Sequence, residues 1–255
     1  MKTIEESVVT AMDGNDVALY PYLPYIMQDL WEFGADPEIF INLIRKHFDH
    51  FSELRVLDLG CGKGASSVKI AQVFDCKCLG IDAVKEFIQD ARKKAREYGV
   101  EHLCSFEQAD IRERVKGLQN FDLILLGAVG PVLGDYYQTL TTLAPCLAPE
   151  GMIMIDDGYI EPDSDITHPL IFRKKDILEQ IGNSGMRLLD EMIIAKDHIV
   201  SEDERLYKKV KQRCMELIDK YPQKRSLFED YIKKQEEEND VLENKITCSV
   251  LVIGQ

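Results

Sequence analysis

Nine residues, Val56-Leu57-Asp58-Leu59-Gly60-Cys61-Gly62-Lys63-Gly64, constrain the fold more than any other stretch of the chain. An apolar run holding one carboxylate gives way to glycines at three alternate positions, and a helical pattern runs from Ala65 to Val73. The order predicts a strand, a tight turn and a helix N-terminus. Such a turn offers bare backbone N–H groups to an anionic or nucleotide-like ligand. Glycine lets the main chain reach φ > 0 and lets a ligand approach without meeting a Cβ. A dinucleotide fingerprint, G-x-G-x-x-G/A, opens the same way. Counted from Gly60, its third small residue falls on Ala65, so glycine spacing alone leaves that reading open. Asp58 is more telling, because a carboxylate aimed at the turn repels a pyrophosphate and suits a ligand carrying an ammonium group.

Cys78-Leu79-Gly80-Ile81-Asp82 reads as a second short strand ending in a carboxylate, about 20 residues past the turn, where a residue that binds ribose hydroxyls is expected. A carboxylate accepts two hydrogen bonds at once and a diol donates two. A helix is predicted from Ala83 to Tyr98, with Phe87, Ile88, Ala91 and Ala95 on one face and Gly99 at its end. Two further strands are predicted around Cys104–Ile111 and Phe121–Gly127.

The acidic residue, the glycine turn and the ordered strands, over roughly residues 50 to 195, resemble the class I S-adenosylmethionine-dependent methyltransferases. The resemblance implies a Rossmann-like α/β fold, a doubly wound seven-stranded sheet whose last strand is antiparallel. It implies S-adenosyl-L-methionine as cofactor, held by Asp58, Gly60, Cys61, Gly62, Asp82 and Ala83. In that reading Asp110 accepts from the adenine amino group and Ile111 packs on the ring. Leu126, on the fourth strand, lies under the methionine end. Two alternatives stay open here: a non-catalytic, cofactor-binding regulatory protein, and an NAD-dependent oxidoreductase.

Composition narrows the partners. At 255 residues and 45% hydrophobic content the chain can bury one substantial core with a small lid. A net charge of −14 works against phosphate backbones, so no nucleic-acid partner is expected. Arg92-Lys93-Lys94 and Arg173-Lys174-Lys175 read as solvated surface. The Asn/Asp-Pro-Pro-Tyr/Phe tetrapeptide of nucleobase and amide methylases is replaced by Gly127-Ala128-Val129-Gly130-Pro131 after the fourth strand. No apolar run reaches the length of a membrane span, and Met1–Glu6 lacks the apolar core of a secretory signal. Seven cysteines without a C-x-x-C pair suggest neither a disulfide framework nor a zinc site; Cys76 and Cys78 read as core, and the expected compartment is a reducing cytoplasm.

Three regions complete the expectation: a helical lid over 1–52, a core over 53–200 and 245–255, and a helical insertion over 201–244. The lid segment shows a turn at Asp13-Gly14-Asn15, a tyrosine-rich cluster around Pro21 and Pro24, and a helix opening at Asp36-Pro37; His47 and His50 read as surface. The insertion carries apolar stripes at Leu206, Val210, Cys214, Leu217 and Ile218, then Leu227, Phe228, Tyr231 and Ile232, and fades at Gln235–Glu238. The stripes either roof a substrate pocket or form a dimerisation arm, which would make a homodimer. For a small-molecule acceptor, candidate residues are Tyr22, Asp157, His168 and His198, with Asp156 and Tyr159 beside them; none is singled out as the catalytic base. Asp156-Asp157 resembles the metal site of catechol-type O-methyltransferases. Those enzymes also place a carboxylate after the fourth strand, where this chain has Gly127-Ala128-Val129, so no metal is expected.

Overall fold

The computed structural model describes residues 2–255. Along the chain come α1 (Ile4–Ala11), α2 (Leu23–Ile26), α3 (Pro37–His47), β1 (Arg55–Leu59), α4 (Ala65–Phe74), β2 (Lys77–Asp82), α5 (Lys85–Glu97), β3 (Cys104–Gln108) and α6 (Ile111–Arg114). These are followed by β4 (Phe121–Gly127), α7 (Tyr136–Leu143), β5 (Leu147–Tyr159), α8 (Lys174–Asn183), β6 (Arg187–Ile193), α9 (Lys196–Lys220), α10 (Arg225–Asn244) and β7 (Thr247–Gly254). The sheet order is β3-β2-β1-β4-β5-β7-β6. β1 to β5 pair in parallel, while β7 runs antiparallel between β5 and β6. The expected seven-stranded, doubly wound sheet is therefore present.

Side-chain alternation splits the sheet's burial between two faces. Val56, Cys78, Leu123, Leu125, Met154 and Val252 pack with α3, α4 and α5, while Leu57, Ile81, Ile124, Ile153 and Leu251 pack with α6, α7 and α8. Cys76 and Cys78 are core, as expected.

A third apolar cluster lies off the sheet. Leu19, Leu23, Ile26 and Leu30 meet Val210, Cys214, Leu217, Phe228 and Tyr231, and the cluster reaches Val84 and Phe87 at the start of α5. The stripes of α9 and α10 are thus buried within the chain, against the N-terminal segment. Polar contacts reinforce the seam: Arg213 grips both carboxylate oxygens of Asp29 (2.6 and 2.8 Å), Tyr25 donates to Glu216 (2.6 Å), and Tyr231 donates to the Met12 carbonyl (2.9 Å).

Several details depart from the sequence reading. α9 starts at Lys196 rather than near 201, and α10 continues through Gln235–Glu238 to Asn244. α1 was not anticipated, although Thr3 and Glu6 form the capping box that starts it. His47 is no surface residue: it is mostly buried and pairs with Asp190 at 2.8 Å, tying α3 to β6. Arg173 and Lys174 are structural too. Arg173 donates to the carbonyls of Glu161, Pro162, Ser164 and Ile166, and Lys174 to the Tyr159 hydroxyl and Glu191.

Phe228 is wholly buried in the third cluster. Phe228→Ala should destabilise the protein by about 3–5 kcal/mol, the usual cost of emptying an aromatic site. Hydrogen exchange should accelerate together in 17–30 and 206–232, faster than in the sheet. Selective loss of protection in the sheet alone would show that the cluster is not a shared unit.

Candidate functional site

The glycine turn is fixed before any ligand is considered. The N–H groups of Gly60 and Cys61 both donate to the Ile81 carbonyl (2.8 and 3.1 Å). The Gly62 N–H donates to one carboxylate oxygen of Asp82 (2.9 Å), and the Val84 N–H to the other (2.8 Å). Each oxygen keeps a second acceptor position. A Cβ on Gly60, whose φ is +70°, would lie 2.2 Å from Cγ1 of Val129, and one on Gly62 would lie 3.1 Å from the Phe33 ring. No larger residue suits either place.

Asp58 is buried, with one oxygen taken by the Ser67 hydroxyl at 2.6 Å. Burial pushes its carboxyl up to about 6. Burial likewise raises Asp82. Cys61 is buried, and the Ala83 carbonyl accepts from the Gln108 side chain (3.3 Å). Asp110 caps α6 and is gripped by the Arg112 guanidinium at 2.8 to 3.0 Å, which holds it below the usual carboxylate range. Arg112 also reaches the Lys2 carbonyl and Ser7, so this corner is tied to α1. Ile111 and Leu126 are buried in the sheet's α6–α8 face.

A strap, residues 31–36, crosses the carboxyl ends of the strands. The Trp31 indole N–H donates to the Lys63 carbonyl (3.0 Å), Phe33 lies over Gly62, and Ala35 lies over Gly127. Lys63 anchors it from below. Its side chain is only 4% exposed, its Nζ donates to the Met27 carbonyl (2.8 Å), and it pairs with Asp90 (3.1 Å). Sequence reasoning places Trp31 in the N-terminal aromatic cluster but gives Phe33 and Lys63 no role; a lysine between two glycines of the turn is the one available signal for the latter.

Beside the turn, the loop after β4 bends back, with Ala128 at φ +53°, an uncommon conformation for a residue with a Cβ. Its Val129 has two neighbours: it lies on Gly60 and it lines a cleft. The cleft is also walled by Leu126, Tyr136, Asp156, Asp157, Leu170 and Phe172. The cleft is open to solvent, with about 490 Å³ of empty space including its mouth. Asp157 accepts from the Tyr136 hydroxyl (2.9 Å) and the Gly158 N–H (2.8 Å). Asp156, on the opposite sheet face, is pushed up to about 7 by burial and by the nearby Asp157 and Asp36.

The remaining expected substrate residues scatter. Tyr22 sits in the third cluster, edge-on to Tyr221 (5.7 Å) and Phe228 (5.1 Å), away from the cleft. His168 takes the Leu170 N–H (3.3 Å) on the loop that contributes Leu170 and Phe172 to the cleft. His198 pairs with Asp36 at 3.1 Å, half-exposed. Among the described residues no group of three or more His, Cys, Asp or Glu could hold a metal ion, and no helix is long and apolar enough to cross a membrane.

The raised Asp156 makes a pH prediction. A carboxyl that titrates at about 7 folded but near 3.8 unfolded holds its proton better in the folded state. Its stabilising effect is complete below pH 3.8 and is lost as pH rises to about 7. Asp156→Asn should therefore raise the melting temperature over wild type more at about pH 8 than at about pH 5. An equal gain at both values would mean that Asp156 titrates normally.

Comparison with known proteins follows the same lines. A family model described as a methyltransferase domain matches residues 50–244. An uncharacterized methyltransferase of Bacillus subtilis is 28% identical over 137 residues, 52% of this chain and 53% of that protein. A trans-aconitate 2-methyltransferase of Escherichia coli is 33% identical over 119 residues, 46% of this chain and 43% of that one. The chain thus spans about half the length of the curated relatives it matches. The crystal structure of an S-adenosylmethionine-dependent methyltransferase from Thiobacillus denitrificans, in complex with S-adenosyl-L-homocysteine, superposes with a TM-score of 0.73 at 18% identity. It covers 92% of this chain and 98% of that one, a likeness of fold. With the glycine turn, the strand order and the matched domain in agreement, the chain belongs to the class I S-adenosylmethionine-dependent methyltransferases.

Proposed function

We propose that the protein moves a methyl group from S-adenosyl-L-methionine to a small-molecule acceptor seated in the cleft beside Asp156 and Asp157. The observation that carries this reading is Val129, one side chain forming both the wall of the cleft and the cover of the glycine turn. Two binding sites that share a wall suit a reaction in which one group crosses between two ligands.

When bound, the cofactor supplies an electrophilic methyl carbon next to a sulfonium. The residues of the turn fit such a group. The N–H groups of Gly60, Cys61 and Gly62 are already donated to Ile81 and Asp82, so the turn offers a ligand close main-chain approach without a Cβ rather than bare donors, and Asp82 keeps free acceptor positions for ribose hydroxyls. Ala83, Ile111 and Leu126 are the further neighbours that the family resemblance assigns to the cofactor, and the Asp58 carboxylate adds a field favourable to a cation. Asp110 reaches the adenine amino group only with the acceptor positions that Arg112 leaves. The strap and the third cluster then serve to exclude water and align the acceptor. Burial of the α9 and α10 stripes against the N-terminal segment supports the roof over the dimer arm, and with it the division into lid, core and insertion. A net charge of −14 supports a small molecule over a nucleic acid and is compatible with a cytoplasmic enzyme.

Asp82→Ala should weaken S-adenosyl-L-homocysteine binding in calorimetry by about 2–3 kcal/mol, the scale for hydrogen bonds to a charged group. Unchanged affinity would remove Asp82 from the cofactor site. With methyl-labelled cofactor and a cell extract, label should pass to the low-molecular-weight fraction. Label recovered in nucleic acid or protein instead would overturn the small-molecule reading.

A further inference from the structure

Glycine leaves room above the turn, and two other segments of the chain fill it. A Cβ on Gly60 would run into Cγ1 of Val129, from the loop after β4, and one on Gly62 would stand 3.1 Å from the Phe33 ring of the strap. The two covers meet over the end of β4. A Cβ on Gly34 would lie 3.2 Å from that of Ala128, and one on Gly127 would lie 2.9 Å from that of Ala35. A ligand that comes onto the main chain of Gly60 needs the volume that Val129 holds. One of the two covers has to give way, and they are held very differently.

The strap is tied to three helices. Trp31 donates to the Lys63 carbonyl, and the Glu32 carboxylate pairs with Lys69 of α4 at 2.8 Å. The Glu32 carbonyl accepts from Arg205 of α9 (3.1 Å), and Asp36 pairs with His198 of α9 while accepting the Glu38 N–H of α3 (2.8 Å). Loop 128–133 carries no charged residue. Among the described residues, its one hydrogen bond to a helix or strand runs from the Ala128 N–H to the Asp156 carbonyl (3.2 Å). Its other bonds are local: the Val132 N–H to the Gly130 carbonyl (2.8 Å) and the Gly134 N–H to the Pro131 carbonyl (3.1 Å). Apolar contacts of Val129, Val132 and Leu133 supply the rest of its hold. The loop's backbone is also poised to turn. Ala128 sits at φ +53°, unfavourable for a residue with a Cβ, Gly130 at φ +61° in open space, and Gly134 at φ +102°.

We propose that loop 128–133 is a gate plugged by Val129, which swings off Gly60 to admit S-adenosyl-L-methionine while the strap stays in place. The inference rests on the methyltransferase reading above. A closed gate lowers affinity, because a ligand that binds only the open form has its apparent affinity reduced by the fraction of molecules that are open. Two neighbouring side chains then act in opposite directions. Val129 favours the closed form through its contact with Gly60 and its apolar packing. Ala128 disfavours the closed form through its positive φ, a strain that the outward swing releases.

The test follows entry of S-adenosyl-L-homocysteine into wild type, Val129→Ala and Ala128→Gly. Trp31, the single tryptophan, donates to the turn, so its fluorescence in stopped flow reports on the site, and surface plasmon resonance on immobilised protein gives the rates independently. The observed rate for wild type should level off at high ligand, at the rate of opening. Val129→Ala should speed association about tenfold and tighten the calorimetric affinity, while Ala128→Gly should slow association and weaken binding. Hydrogen exchange in the free protein should be faster in 128–134 than in 31–36. Equal association rates in all three proteins, weaker binding by Val129→Ala, or faster exchange in the strap than in the loop would overturn the gate while leaving the methyltransferase reading in place. Failure of the wild type to bind S-adenosyl-L-homocysteine would overturn both.

Discussion

The site depends on how one turn is held. Three N–H groups of Gly60, Cys61 and Gly62 are spent on the end of β2, two on the Ile81 carbonyl and one on the Asp82 carboxylate. This fixes β1's exit to β2's exit, one strand from the place between β1 and β4 where the sheet's connections diverge. The same carboxylate fixes the start of α5 through Val84. Asp82 thus ties the turn and the start of α5 together while each of its oxygens keeps a further acceptor position.

From that turn the cover is built by contact. Lys63 projects away from the turn, and because its ammonium is buried it must be paired; Asp90 and the Met27 carbonyl do so. The pairing brings the N-terminal segment down on the turn, after which Trp31 and Phe33 close over Lys63 and Gly62. The third apolar cluster then joins that segment to α9 and α10. Turn, strap and the third cluster are three steps of one physical connection.

The sheet was legible in the sequence because its strands are short apolar runs punctuated by glycine and carboxylate, signals that local chemistry enforces. Strand order was legible only through family resemblance. α9 began earlier than expected because Lys196 to Ile199 lacks an apolar stripe, and α10 outlasted expectation because its charge run is helical: Lys233–Glu237 and Lys234–Glu238 pair along one face. Candidate cofactor residues could be named from the turn and the family resemblance, but their protein partners could not. Nothing in the sequence says that Ser67 takes Asp58, that Arg112 takes Asp110, or that Val129 lies on Gly60, since these are facts of three-dimensional packing. The surroundings of Tyr22 were equally hidden: an aromatic at lid spacing serves core as readily as pocket, and here it packs on the third cluster.

The placing of β7 has a consequence for the order of assembly. β6 pairs with β7 and with no other strand, and β5 has β7 on one side along Met152–Tyr159. During synthesis both strands precede the only element that can join them. Until Thr247–Gly254 arrives, β5 presents an apolar, unpaired edge, and β6 has no place in the sheet. The partial chain is then open to pairing with other chains, as slow, long-range β closure generally is. The 53 residues of α9, α10 and their flanks between β6 and β7 lengthen the interval in which that edge stays open.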